Sequence, residues 1–260
     1  MKYNDELEAA ASLAVKAGTE IMKIYTGDFS VELKDDKTPL TEADMKSNDI
    51  IVNELSKRFD HGILSEEKRD DKSRLDRDTV WIIDPLDGTK EFVKKNGEFT
   101  VNIALAYKKK PVLGVVYSPV KGELYWAHTG EGAYIQHGGR SRRIHVSDKK
   151  EDLILVMSRS HASAKLSQFI ERNSDYILSK SQAGSSLKGC MVASGEADIY
   201  MRYNPTNEWD TCAMHCIVEE AGGIFRQMDN TPLLYNRKDV VNKRGFFAIN
   251  RNHHFIINGD

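Results

Sequence analysis

Cysteine is scarce in this chain, with only Cys190, Cys212 and Cys216 among 260 residues. The number is odd and no Cys-x-x-Cys pair occurs. That excludes a disulfide framework and a thiolate zinc site, and fits buried thiols in a reducing cytosol, so a cytoplasmic location is expected. Proline is sparse too, six in all, and no Pro- or Ser-rich linker or internal repeat divides the sequence. No apolar run approaches the roughly 20 residues of a membrane span, so no integral membrane segment is expected. Residues 1–8 are charged and helix-like, unlike a signal peptide. An excess of one charge is also missing: 37 basic side chains stand against 39 acidic ones, a formal net charge of −2. This argues against a nucleic acid polymer as the main partner and leaves room for a local basic pocket.

What is present is the composition of an ordinary globular enzyme, 40% hydrophobic and 29% charged, in a chain long enough for a sizeable core. Apolar residues at helical spacing predict amphipathic helices over residues 5–25 and 41–59. Residues 68–78 mix both charge signs and read as a solvated loop. Residues 99–107, 112–117, 123–128 and 132–136 alternate with period two between glycine-marked turns, the pattern of an antiparallel meander. From about residue 150 strands and helices alternate. Strands are expected over 153–157, 176–178, 198–203, 224–228 and 245–249, and helices over 162–172, 187–194 and 211–221, the last stopped by Gly222-Gly223. The organisation expected is a single catalytic domain, 1–260, of two lobes: an α+β lobe over about 1–150 and an α/β lobe over about 151–260.

The densest signal is Trp81-Ile82-Ile83-Asp84-Pro85-Leu86-Asp87-Gly88-Thr89-Lys90. An apolar strand runs into a carboxylate, turns through Pro85, and presents a second carboxylate at Asp87. Two carboxylates so close at a strand end repel unless a cation lies between them, and hard oxygen ligands at this spacing suit Mg²⁺. Gly88 tolerates a backbone conformation other residues resist. The residues after it offer free backbone N–H groups at a helix start, which suits a phosphate. Asp-Pro-x-Asp-Gly is also a common surface-turn composition. Three further acids sit at element ends. Gly62-Ile63-Leu64-Ser65-Glu66-Glu67 is a second apolar run ending in acids. Asp44 follows Thr41 in a capping-box pattern, and Asp210 is expected as an N-cap before a clear helix. Solvation or capping alone accounts for each of them individually.

Taken in order, Thr-x-x-Asp, Ser-Glu-Glu, Asp-Pro-Leu-Asp-Gly-Thr and Trp-Asp-Thr resemble the lithium-sensitive, magnesium-dependent phosphatases of the inositol monophosphatase superfamily, over most of the chain. The resemblance implies a layered αβαβα sandwich and two or three Mg²⁺ ions. It implies that Glu66, Asp84 and the Leu86 carbonyl hold one ion, and that Asp84, Asp87 and Asp210 hold another. Thr89, paired with Asp44, would activate the attacking water, and Gly88 and Thr89 would give N–H groups to the phosphate. Attack would be in line, without a phosphoenzyme.

Three features bear on the substrate. Gly88-Thr89-Lys90-Glu91-Phe92 is similar to the 3′(2′),5′-bisphosphate nucleotidases of the superfamily, with Glu91 nearest the bacterial CysQ type. The resemblance gives Ser185, Lys188 and Arg202 to the phosphate that is not cleaved, and His161 in Met157-Ser158-Arg159-Ser160-His161 to the nucleoside pocket. The implied reaction is hydrolysis of adenosine 3′,5′-bisphosphate to AMP and phosphate, with 3′-phosphoadenylyl sulfate as a further candidate substrate. An inositol monophosphatase, a broad sugar-phosphate phosphatase and a silent nucleotide or metal sensor remain the alternatives. A monomer or homodimer is expected, with peripheral association at the inner face of the cell membrane left open.

Overall fold

The computed structural model describes residues 2–28, 30–33, 39–159 and 163–253. The chain begins with α1 (Asn4–Tyr25), a small ribbon of β1 (Val31–Leu33) and β2 (Pro39–Thr41), and α2 (Glu42–Arg58). It continues through β3 (Gly62–Ser65), β4 (Thr79–Asp87), the short helix α3 (Thr89–Val93), β5 (Thr100–Tyr107), β6 (Lys110–Ser118), β7 (Glu123–His128), β8 (Gly132–His137) and β9 (Arg140–Ile144). Then follow β10 (Leu153–Met157), α4 (Ala164–Arg172), β11 (Ile177–Gln182), α5 (Leu187–Ala193) and β12 (Ile199–Arg202). The chain closes with β13 (Thr206–Asn207), α6 (Glu208–Glu220), β14 (Ile224–Gln227), β15 (Val241–Asn242) and β16 (Phe246–Ile249).

β3 to β9 form a seven-stranded sheet in chain order, antiparallel except for the β3–β4 pair. A five-stranded sheet has the order β11-β10-β12-β16-β14, and a ribbon of β13 and β15 closes over the start of α6. Alternation along the central strands sets the layers. Trp81, Ile83, Val101, Ile103, Leu105, Leu113 and Val115 pack with the apolar faces of α1 and α2. Their neighbours Val80, Ile82, Ala104, Ala106 and Val116 face the opposite layer, where Cys212, Ala213 and Ile217 of α6 meet Val156, Tyr200 and Phe246 of the five-stranded sheet. The outer face of that second sheet is covered by Leu166 and Phe169 of α4. The result is the expected αβαβα sandwich. With both faces covered, the central strands read as continuous apolar runs.

Small residues let α6 approach the first sheet closely. A Cβ at Gly114 would stand 2.3 Å from the Ala213 carbonyl oxygen of α6.

Three expectations are corrected. The meander gains a fifth strand, β9, whose Arg140-Ser141-Arg142-Arg143 is exposed and paired only along one edge to β8. The Asp84–Asp87 segment is a β-bulge rather than a turn. Asp84 pairs with Asn102 and Asp87 with Thr100, three steps on β4 against two on β5. The loop over 68–78 is not simply solvated, because Arg74 within it is 1% exposed. Its guanidinium finds partners in Asp70, Asn236 and the Arg237 carbonyl, which offset the cost of burying it. Among the described residues no helix is long and apolar enough to cross a membrane.

Candidate active site

The bulge accommodates Pro85, which has no N–H to give to a neighbouring strand. β3 ends at Ser65 opposite Ile83, so β4 has lost its parallel neighbour by the time it reaches Pro85. The Pro85 carbonyl accepts from Ser47 Oγ of α2 at 2.7 Å, and Leu86 N donates to Asp84 Oδ1 at 3.1 Å. Asp84 is fully buried, while Asp87 is half-buried. Asp87 Oδ2 accepts from Ser186 Oγ at 2.8 Å and from Asn102 Nδ2 at 3.2 Å, and Asn102 is itself held by Thr100.

Asp210 enters from α6. It is not the N-cap expected from sequence. Asn207 caps the helix and Asp210 occupies the third helical position, its Oδ2 accepting from Asn207 N at 2.6 Å. One carboxylate oxygen each from Asp84, Asp87 and Asp210 lie within 4.8 Å of one another. Burial pushes Asp84 well above the ordinary carboxylate range, reinforced by the charges of Glu66, Asp87, Asp210 and Asp44 in that order. Burial and the Asp87 charge raise Asp210 as well. Glu66, at the end of β3 with its N–H on the Ile83 carbonyl, lies outside this trio, yet its charge acts on Asp84 more strongly than any other. Three converging, partly buried carboxylates with oxygen-only donors fit a hard divalent cation. Left to themselves they repel.

Asp44 divides its two oxygens. Oδ2 closes the capping box of α2, accepting from Thr41 N at 2.8 Å and Thr41 Oγ1 at 2.6 Å. Oδ1 accepts from Thr89 Oγ1 at 3.2 Å, which also lies 3.3 Å from the Leu86 carbonyl. Gly88, before Thr89, has φ 90°, the left-handed region that favours glycine. A Cβ there would meet the Glu98 carbonyl and Ser185 at 3.3 Å.

Beyond Gly88 opens a cavity of about 160 Å³, whose lining combines the acids Asp87, Glu91 and Asp210 with Ser185, Lys188, Tyr200 and Arg202. Lys188 is 3% exposed and donates from Nζ to the Ser185 carbonyl at 2.6 Å and the Ala183 carbonyl at 3.3 Å. Burial brings its pKa down to about 8, with Arg202 pushing the same way and Asp87 opposing. Ser185 Oγ and Arg202 Nε are buried with no hydrogen-bond partner. Two neighbouring cations and two unanswered polar donor groups in one cavity are the kind of chemistry that can receive an anion.

The structure therefore places Asp87, Gly88, Ser185, Lys188, Arg202 and Asp210 on one cavity; Asp84 joins the acid trio, Glu66 acts on it by charge, and Thr89 links Asp44 to Leu86. His161 lies outside the described residues. Sequence reasoning read Ser186 only as part of a Ser-Ser-x-Lys helix start and missed that it and Asn102 hold Asp87. Asn102 had a signal, a lone amide in an otherwise apolar period-two strand.

The fold and its acid cluster define a class. The family model of the inositol monophosphatase family matches residues 3–257, and the chain belongs to that family, whose members are metal-dependent. Among curated proteins it is 40% identical over 244 residues to the 3′(2′),5′-bisphosphate nucleotidase CysQ of Escherichia coli (strain K12), covering 92% of this chain and 98% of that protein. Among solved structures it is similar to CysQ from Bacteroides thetaiotaomicron, with a TM-score of 0.86 and 39% identity over 96% of this chain and 98% of the other. An IMPase of Thermotoga maritima also matches, with a TM-score of 0.82 and 28% identity over 98% of this chain and 97% of that one.

Proposed function

We propose that this protein hydrolyses the 3′-phosphate of adenosine 3′,5′-bisphosphate to give AMP and phosphate, with 3′-phosphoadenylyl sulfate as a related substrate. The observation that carries the reading is a single cavity whose lining combines the acids Asp87 and Asp210 with Ser185, Lys188 and Arg202. A monophosphate ester would bring no second anion to Ser185 Oγ and Arg202 Nε, the two buried polar atoms of this cavity without a hydrogen-bond partner, whereas a substrate with two phosphates answers them. The nucleotidase relatives at 40% identity support the same choice.

In this reading Glu66, Asp84 and the Leu86 carbonyl hold one Mg²⁺, and Asp84, Asp87 and Asp210 hold another; a third ion is compatible with the family. Bound there, Mg²⁺ neutralises charge on the transferred phosphoryl group and lowers the pKa of water. The chain's own residues do the rest. Thr89 Oγ1 has one hydrogen and two acceptors, Asp44 Oδ1 and the Leu86 carbonyl. With the carbonyl engaged elsewhere, that hydrogen goes to Asp44, and the hydroxyl lone pairs accept from the attacking water. The water's proton passes to Thr89 Oγ1 as the threonine proton passes to Asp44. The N–H groups of Gly88 and Thr89 steady the phosphate to be cleaved. Ser185, Lys188 and Arg202 hold the phosphate that stays. The departing 3′-oxygen takes its proton from a water at Asp210. The protein works in the cytoplasm, as a monomer or a homodimer.

The test is phosphate release from adenosine 3′,5′-bisphosphate and inositol 1-phosphate side by side, with Mg²⁺, with EDTA and with added Li⁺. The nucleotide should be strongly preferred, with turnover lost in EDTA and depressed by Li⁺. Equal or greater turnover of the inositol ester would overturn the substrate.

A further inference from the structure

The acids of the site arrive on separate pieces of chain. Glu66 follows β3, and Asp210 sits in the first turn of α6. Like charges do not hold one another in place, so their spacing must come from elsewhere. A second polar network, with Arg74, Asn236 and Glu208 buried at its centre, joins the two pieces. Arg74, in the loop after Glu66, donates to Asp70 Oδ2 at 2.8 Å, Asn236 Oδ1 at 2.7 Å and the Arg237 carbonyl at 3.0 Å. Asn236 answers through Nδ2 to the carbonyls of Arg74 at 3.1 Å and Arg77 at 3.2 Å. Its backbone, at φ 53°, sits in the left-handed region that asparagine tolerates better than most residues. From there the network passes to α6. Glu208, 0% exposed, accepts from Asn236 N at 2.7 Å and from Arg237 N and Nε at 2.9 and 3.1 Å. Glu208 shares the first helical turn with Asp210.

We infer that Arg74, Asn236 and Glu208 are positioning residues that set how tightly the site holds Mg²⁺. They clamp the loop following Glu66 to the helix turn carrying Asp210. The inference rests on the metal assignment proposed above. None of the three touches the substrate cavity. Their loss should therefore weaken the cation without weakening the nucleotide.

The experiment titrates Mg²⁺ by calorimetry into the parent protein, Glu208→Gln, Arg74→Lys and the control Asp198→Asn, with Trp209 fluorescence as a second readout. Glu208→Gln keeps the shape and turns one acceptor into a donor against backbone N–H groups. Arg74→Lys keeps the charge near Asp70 and gives up the fork. The control removes charge from a buried acid that accepts from Ile154 N and Ser147 Oγ and shares no partner with this network. Supporting contacts around metal ligands typically change affinity by about 10–100-fold. The Mg²⁺ dissociation constant should rise about tenfold or more in both network variants, with KM for the bisphosphate at saturating Mg²⁺ within about twofold of the parent. The control should lose thermal stability with its Mg²⁺ affinity unchanged. Unchanged Mg²⁺ affinity in both network variants, or equal weakening in the control, would overturn the inference and leave the metal site standing. No Mg²⁺ binding by the parent would overturn the metal assignment, and the inference with it.

Discussion

Asp44 and Lys188 show how much a single side chain can carry. The capping box explains Asp44 from sequence alone, and it is real. It uses one carboxylate oxygen and leaves the other to Thr89. A local motif reveals the first role, whereas the second needs a partner 45 positions away. Lys188 is a buried ammonium whose pKa has come down to about 8 because burial disfavours its charge. Its folded value lies below the ordinary 10.5, so the unfolded chain binds more protons between the two, and stability rises with pH across that window. Below about pH 8 the buried charge costs stability and serves binding. Lys188→Met should therefore melt at or above the parent at pH 7 in the absence of anions. Its KM for the bisphosphate should be roughly tenfold higher or more, the loss expected for a charged hydrogen bond worth ~1.5–3 kcal/mol. In the parent that KM should climb as pH passes 8, and in Lys188→Met it should stay flat. A matching climb in the variant would remove Lys188 from the anion site.

At the scale of elements, α6 decides whether the acid cluster forms. Gly114 on β6 is the point of closest approach, and its role is space rather than backbone freedom. Gly114→Ala would force α6 away from the sheet at a cost of about 1–3 kcal/mol, the range for overpacking. Asp210 moves with the helix, so thermal melting and Mg²⁺ titration should both report the change. An unaltered Tm would contradict the close approach of α6 at Gly114 as the constraint on the cluster.

The strand through Ile83 was legible because its apolar run stops abruptly at a carboxylate. The bulge was not, since it exists only in the pairing with Thr100 and Asn102. β9 escaped because an exposed edge strand of arginines has no apolar period, and the buried Arg74 escaped because its partner Asn236 lies 162 positions on. Only the second omission comes from a contact remote in sequence, since β9 pairs with the adjacent β8.

For the whole molecule, the order of layers follows from which faces of β4, β5 and β6 meet α1 and α2 and which meet α6. Period two announces that such strands have two faces. It does not say what covers each, and here the family resemblance supplied the sandwich. Between the sheets the acids form a charged centre that the fold tolerates at a cost. Asp84 and Asp210 titrate above their ordinary value, so they bind more protons folded than unfolded, and metal-free stability should fall as pH rises from the ordinary aspartate range. A cation reverses this. With Mg²⁺ at 100 times its dissociation constant the gain is about 2.7 kcal/mol, or a rise of about 5–10 °C in Tm for a chain of this size. Asp84→Asn should raise the metal-free Tm at pH 7 and abolish the Mg²⁺-dependent rise, as differential scanning calorimetry can check. A Mg²⁺ shift that survives Asp84→Asn would place the cation elsewhere.

The central claim is that one cavity reads two phosphates, one at the acids and one at Lys188 and Arg202. The most direct measurement compares kcat/KM for adenosine 3′,5′-bisphosphate and for 3′-AMP, which lacks the second phosphate, in the parent and in Lys188→Met. The parent should prefer the bisphosphate by about tenfold or more, in line with a charged hydrogen bond, and the preference should largely collapse in the variant. Equal rates for the two esters in the parent, or a preference that survives the loss of Lys188, would contradict the account.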